Sequence, residues 1–158
     1  MTAAYVLTNE REYPDRPWVG IGVVVWRGDA VLLVRRGRPP RQGEWGIPGG
    51  AQAVGETIFE GAIREVLEET GVSIRPTAIV TVIDSISPDP GGRARFHYTL
   101  VEVSAEWVVG EAEAASDAAA VRWSSLEEAR ELVLWDETLR VIATAAELRR
   151  TSPVTESR

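Results

Sequence analysis

Three glutamates within five residues, Glu65, Glu68 and Glu69, follow an Ile47-Pro48-Gly49-Gly50 turn and lie in a segment, 57–70, of helical periodicity. Like charges gathered this way repel, and helix stability supplies no reason to gather them. A hard divalent cation does, because Mg²⁺ or Mn²⁺ takes oxygen ligands from carboxylates and carbonyls. At about 100° per residue, Phe59, Ile63, Val66, Leu67 and Thr70 share one side and read as the face that buries. Glu65, Glu68 and Glu69 fall nearly opposite. Positions 65 and 69 are one turn apart, so their carboxylates can converge on one ion. Arg64, one turn after Glu60 and one turn before Glu68, can hold a carboxylate in place without joining the ligands. Gly71 suits the left-handed position that ends a helix. Gly61 sits in the interior, where glycine costs roughly 1 kcal/mol against alanine, and leaves room near the carboxylate side.

The elements that must position this cluster can be read on either side of it. Residues 19–26 form a β-branched run, Arg27-Gly28-Asp29 a turn and 30–36 a second run, together a hairpin. Residues 37–44 make a basic loop rich in proline and glycine that leads into the turn. After the helix, 74–86 reads as extended with a break near Pro76, 87–92 as a loop and 94–103 as a strand paired with the preceding one. Residues 110–120 are acidic and alanine-rich and read as a loop, followed by the short strand Val121-Arg122-Trp123. Ser125, with Glu128 three residues on, starts a helix through a capping box. Asp136 caps a last helix whose apolar stripe is Leu139, Ile142, Ala143 and Ala146. Trp45 and Trp123, with Trp18 and Trp26 at the ends of the first strand, read as packing residues. Strands interspersed with few helices give an α/β or α+β class. Residues 1–16 read as an arm or early edge strand, 17–150 as the domain and 151–158 as a polar tail.

Composition narrows the function classes. The 158 residues form one domain with a substantial core. A net charge of −7 argues against a surface built on nucleic-acid phosphates. It does not exclude a nucleotide substrate, since a bound divalent ion inverts the local charge. The absence of cysteine removes thiol and disulfide chemistry. No apolar run is long enough to span a membrane and the N-terminus lacks a signal-peptide pattern, so the expectation is a cytoplasmic protein with no membrane partner.

The string Gly50, five residues, Glu56, seven residues, Arg64-Glu65-Val66, one residue, Glu68-Glu69, one residue, Gly71-Val72 resembles the Nudix box at every defining position. Flanking pieces are similar too: Val31-Leu32-Leu33-Val34-Arg35-Arg36 before it, Gly43-Glu44-Trp45-Gly46 into its turn, and Val121-Arg122-Trp123 with a capped helix after it. The resemblance implies an α/β/α sandwich around a mixed sheet, with the box as a loop-helix-loop. It implies hydrolysis of a nucleoside diphosphate linked to another group, with Mg²⁺ or Mn²⁺ neutralising the pyrophosphate and activating water. Glu65 and Glu69, which share the centre of the acidic face, are the first metal-ligand candidates and Glu68 the next, and the Gly49 carbonyl is similar to one that ligates metal in the family. Arg64 and Glu56 are expected as a structural and orienting pair within the catalytic group, which also takes Glu65, Glu69 and Asp117. The base lies either in the box, at Glu65, or on a later loop, where Asp117 is the candidate and Glu111 and Glu113 compete with it.

Arginine suits bidentate contact with phosphate, so Arg36, Arg38 and Arg41, beside Arg35 in the basic loop, are substrate candidates. His97, the only histidine, shares a strand face with Arg95 and is either a structural residue or a substrate contact. Among family groups the chain looks closest to those assigned to ADP-ribose hydrolysis. The carriers are Arg16-Pro17-Trp18-Val19-Gly20, the loop Arg35 to Pro40, and the stretch Asp89 to Tyr98. The products would be AMP and ribose 5-phosphate. Two alternatives stand beside this: a nucleoside triphosphate pyrophosphatase clearing damaged nucleotides, and a non-catalytic nucleotide sensor, a class that usually loses box glutamates. The family often forms homodimers, and the N-terminal arm could swap or pair.

Overall fold

Val23, Val24 and Val25 are all fully buried, which requires both faces of their strand to be covered. That strand, β1 (Trp18–Arg27), is central in a computed structural model that describes residues 10–38, 41–133 and 135–152. The other strands are β2 (Ala30–Arg36), β3 (Trp45–Gly46), β4 (Gly49–Ala51), β5 (Ser73–Pro88), β6 (Ala94–Val109) and β7 (Ala118–Ser124). The helices are α1 (Ile58–Thr70), α2 (Leu126–Leu132) and α3 (Asp136–Thr151). Among the described residues the strands make one mixed sheet in the order β3-β2-β1-β6-β5, with β4 paired to β1 and β7 to β2. β1 runs parallel to β6 and antiparallel to β2 and β4.

Strand alternation sends β1 side chains to two separate cores. Ile21, Val23 and Val25 pack with Val103, Ala62 and Val66 under α1. Val24 and Trp26 pack with Leu33, Val133, Val141, Ile142 and Ala145 under α2 and α3. Helices therefore cover both faces, giving the expected α/β/α sandwich with a mixed sheet. Among the described residues no helix is long and apolar enough to cross a membrane.

Several local expectations need correction. Phe59, Ile63 and Leu67 do not bury; they remain 37%, 39% and 50% exposed. Gly61, Ala62, Val66 and Thr70 are the buried positions of α1. The helix is turned so that small residues meet the sheet, which carries Glu65 and Glu69 inward with them. Asp136 is the first residue of α3, not its cap; Trp135 occupies the cap without a side-chain hydrogen bond. β5 passes through Pro76 with a register shift between Pro76 and Ala78 where a break was expected, because proline lacks the N–H the ladder would use. β6 and β7 extend beyond 94–103 and 121–123. At α2, Ser125 accepts from the Glu128 N–H at 3.1 Å, while the Glu128 carboxylate turns to Arg122 and the Ser125 hydroxyl.

Of the arm, residues 10–16 are described and form no strand before β1 begins. Tyr13 anchors them to the β5–β6 turn, its N–H donating to the Arg95 carbonyl and its hydroxyl to Asp89 at 3.0 Å. Residues 1–9 and 153–158 of the expected arm and tail lie outside the described residues.

Helix orientation predicts a contrast in stability. Val66→Ala, in the core, costs about 2 kcal/mol, whereas Leu67→Ala, one residue on, stays within about 0.5 kcal/mol. Urea denaturation of the two variants checks this.

Candidate active site

The turn into α1 is built on close approach. Gly49 lies opposite Gly22 in the β1–β4 ladder, and a Cβ on Gly49 would overlap the Ile21 carbonyl oxygen. A Cβ on Gly50 would overlap the Glu65 carboxylate. Only glycines let this strand and this acid meet. The start of α1 is fixed by Thr57, whose hydroxyl accepts from the Glu60 N–H while Glu60 accepts from the Thr57 N–H. Its end is fixed by Gly71 at φ 73°, whose N–H donates to the Leu67 carbonyl. This reciprocal cap follows the Thr-x-x-Glu signature, a signal the reading of helix faces passed over.

Arg64 ties the loop to the helix. Its Nε and Nη2 donate to the two Glu56 oxygens at 2.9 and 2.6 Å. Nη1 donates to Glu65 at 2.8 Å and to Glu68 at 3.2 Å, and Nη2 also reaches the Ala51 carbonyl at 3.1 Å. Glu56 accepts in addition from the Ala53 N–H at 2.7 Å, and Gln52 donates to the Glu56 carbonyl. A planar fork matched to a carboxylate is the geometry arginine alone offers.

The sheet side of α1 carries the unresolved charge. Burial, and then the neighbouring Glu65 carboxylate, push the Glu69 carboxyl up to about 8, against the pull of the Gly49 N–H it accepts from and of Arg36. Among the described residues, no three histidine, cysteine, aspartate or glutamate side chains are gathered as a metal cluster; Glu68 is half-exposed and turned to Arg64. Glu65 and Glu69 are nevertheless an oxygen pair suited to a hard cation. They meet where a missing Cβ leaves room, and their mutual repulsion is what such an ion relieves.

The acidic loop reaches this site through backbone bonds. Ala115 and Glu113 N–H groups donate to the Glu69 and Thr70 carbonyls, both at 2.9 Å. Gly37 N–H donates to the Asp117 carbonyl, and Arg38 Nε stands 3.0 Å from the Asp117 carboxylate. The charge of Asp117 is felt at Glu69. Glu111 instead faces Arg27 at 3.6 Å. Thus the charges of Arg36 and Asp117 both act on Glu69, and Arg38 is paired with Asp117. Arg41 lies over the Trp135 ring at 3.8 Å and pairs with Glu44 at 4.0 Å. His97 lies opposite Ile86 near the start of β6, five residues along the strand from the part that faces Gly22.

The Arg64–Glu56 fork predicts a pH signature. The hydrogen bonds from Arg64, then from Ala53, hold the Glu56 carboxyl down at about 2, against 4.5 for the free group. A carboxyl lowered on folding stabilises above its unfolded value and loses that contribution as pH falls through the folded one. Glu56→Gln is therefore less stable than wild type at pH 7, and the gap in Tm closes as pH falls from 4.5 toward 2. Thermal melts across that window check it.

Comparison with known proteins agrees with this architecture. The NUDIX domain family model matches residues 16–144. An ADP-ribose pyrophosphatase of Methanocaldococcus jannaschii is 30% identical over 102 residues, covering 65% of this chain and 58% of that protein. The human 8-oxo-dGDP phosphatase NUDT18 is 35% identical over 65 residues, covering 41% of this chain and 20% of that protein. The chain thus matches less than two thirds of the length of either relative. Among solved structures, a MutT NUDIX hydrolase from Burkholderia pseudomallei superposes with a TM-score of 0.69 at 27% identity, over 82% of this chain and 98% of the other.

Proposed function

The chain belongs to the NUDIX domain family, and from that premise we propose that it hydrolyses a nucleoside diphosphate linked to a second group, with ADP-ribose as substrate and AMP and ribose 5-phosphate as products. The observation that carries this reading is the pair Glu65 and Glu69, packed at the Gly49–Gly50 turn with repulsion that a divalent cation relieves. The M. jannaschii relative, an ADP-ribose pyrophosphatase by name, supports the substrate.

Glu65, Glu69 and the Gly49 backbone would hold Mg²⁺ or Mn²⁺, with Glu68 beside them; such an ion neutralises pyrophosphate charge and makes water more acidic. Arg64 and Glu56 position Glu65 and do not touch substrate. Arg36 and Arg38 bind phosphate oxygens. Arg38 is already engaged with Asp117, so a phosphate that draws the guanidinium away leaves the Asp117 carboxylate free to accept a proton. In the reaction, water oxygen bonds to one phosphorus, the bridging P–O bond breaks, one phosphate remains on each product, and the water proton passes to Asp117. Glu65 is the other candidate acceptor, with one oxygen committed to Arg64. Arg41 and His97 would contact more distant parts of the substrate.

The human relative acting by name on 8-oxo-dGDP supports a second reading, hydrolysis of damaged nucleotides. Chromatography of products with Mg²⁺ decides between them. AMP plus ribose 5-phosphate from ADP-ribose, at a rate well above that for oxidised nucleotides, is the expected result; a preference for oxidised nucleotides moves the assignment to the second reading. Glu69→Gln is expected to lower kcat at least about 100-fold with the Tm retained. Near-normal turnover in that variant would sink the metal-ligand role.

A further inference from the structure

Glu102 is an acid in mid-strand where packing alone would favour an apolar residue. It sits in β6 between Val101 and Val103, 5% exposed, and its Oε2 has no hydrogen-bond partner among the described residues. Desolvation pushes its carboxyl up to about 7. A buried polar group left unpaired costs stability, and its retention calls for a reason.

Its surroundings keep space for that carboxyl. Glu102 lies beside Gly22 in the β1–β6 ladder, and a Cβ on Gly22 would overlap Glu102 Oε2 while standing 3.1 Å from Ile47 Cδ1. On this face the core beneath α2 and α3 takes Val24 and Trp26 from β1, and Ile47 packs at its edge beside Gly22. On the other side, Thr81 pairs with Glu102 and, with Ile83, lines a cavity of about 540 Å³ between β5 and α3, whose lining reaches β5 and stops one strand short of Glu102 itself. That volume lies in the range of small-molecule sites. Gly22 also pairs with Gly49. Gly49, Gly22 and Glu102 therefore stand in one row across three strands, about 10 Å at roughly 4.8 Å per strand. One end of the row is the candidate pyrophosphate site and the other is the unpaired acid.

We propose that Glu102 is a specificity-determining residue whose carboxyl accepts a hydrogen bond from the exocyclic amino group of an adenine base, with the diphosphate of the same nucleotide held at the Gly49–Gly50 turn. This rests on the reading of the chain as a nucleoside diphosphate hydrolase. The carboxyl can accept in either protonation state, and when protonated it also offers an O–H to the neighbouring ring nitrogen. A site built to hydrogen-bond a substrate amine discriminates against the analogue that lacks it.

The test is calorimetric binding, in Mg²⁺ buffer, of AMP and of purine riboside 5′-monophosphate, which lacks the amino group, to wild type, Glu102→Leu and Glu102→Gln. Wild type is expected to favour AMP by about 10-fold. Glu102→Leu brings the ratio close to one while its Tm rises, and Glu102→Gln, whose amide oxygen still accepts, recovers the ratio. A wild type blind to the amino group, or an equal ratio in wild type and Glu102→Leu, overturns the proposal. Turnover of ADP-ribose by wild type is scored separately. Its absence counts against the hydrolase reading, while the binding ratios still decide the role of Glu102.

Discussion

The guanidinium of Arg64 joins three pieces of chain that would otherwise separate. It holds Glu56 from the loop, Glu65 and Glu68 from the helix, and the Ala51 carbonyl from the end of β4. Remove it and the loop loses its anchor, Glu65 loses the charge that orients it, and acids clustered on one helix face repel without a counter-ion. Lysine could supply the charge but not the planar fork that meets both Glu56 oxygens at once. The rest of the site depends on this fixed frame: the glycine turn can approach Glu65 only because Glu65 is held against it.

The frame also explains why α1 buries its smaller residues. A helix docked by its largest apolar side chains would bury Phe59, Ile63 and Leu67 and turn Glu65 and Glu69 into water. The observed helix meets the sheet through Gly61, Ala62, Val66 and Thr70, and a Cβ on Gly61 would overlap Ile21. Apolar burial is forgone so that two carboxylates reach the Gly49–Gly50 turn, where burial and mutual repulsion raise the Glu69 carboxyl. Compromises of this kind between stability and a site are expected where function sets the geometry.

This compromise marks the limit of what the sequence discloses. The box spacing located the glutamates, Arg64, the turn and the helix stop, because each depends on local geometry that residue identity fixes. The β1–β2 hairpin was legible because two β-branched runs flank the Arg27-Gly28-Asp29 turn. Periodicity misplaced the buried face of α1, since a hydrophobic stripe reports what could bury and not which side the tertiary contacts choose. The pairing of Arg38 with Asp117, whose charge acts on Glu69, joins segments far apart in sequence through the β2–β7 pairing and the backbone bonds of residues 113 and 115, and no local pattern encodes it. Glu102 did leave a trace, an acid within an apolar run facing a strand with glycines at alternate positions, but its meaning depends on the parallel register of β1 and β6.

The central claim is that the inward carboxylates of α1 form a divalent-cation site organised around Glu65 and Glu69. Electron paramagnetic resonance of Mn²⁺ titrated into the protein tests it most directly, because the free ion gives a signal that binding attenuates. The account predicts saturable Mn²⁺ binding by wild type that competes with Mg²⁺ and is lost in a Glu65→Gln, Glu69→Gln double variant that still folds. Saturable binding of equal affinity in that variant, or none in wild type, would contradict it.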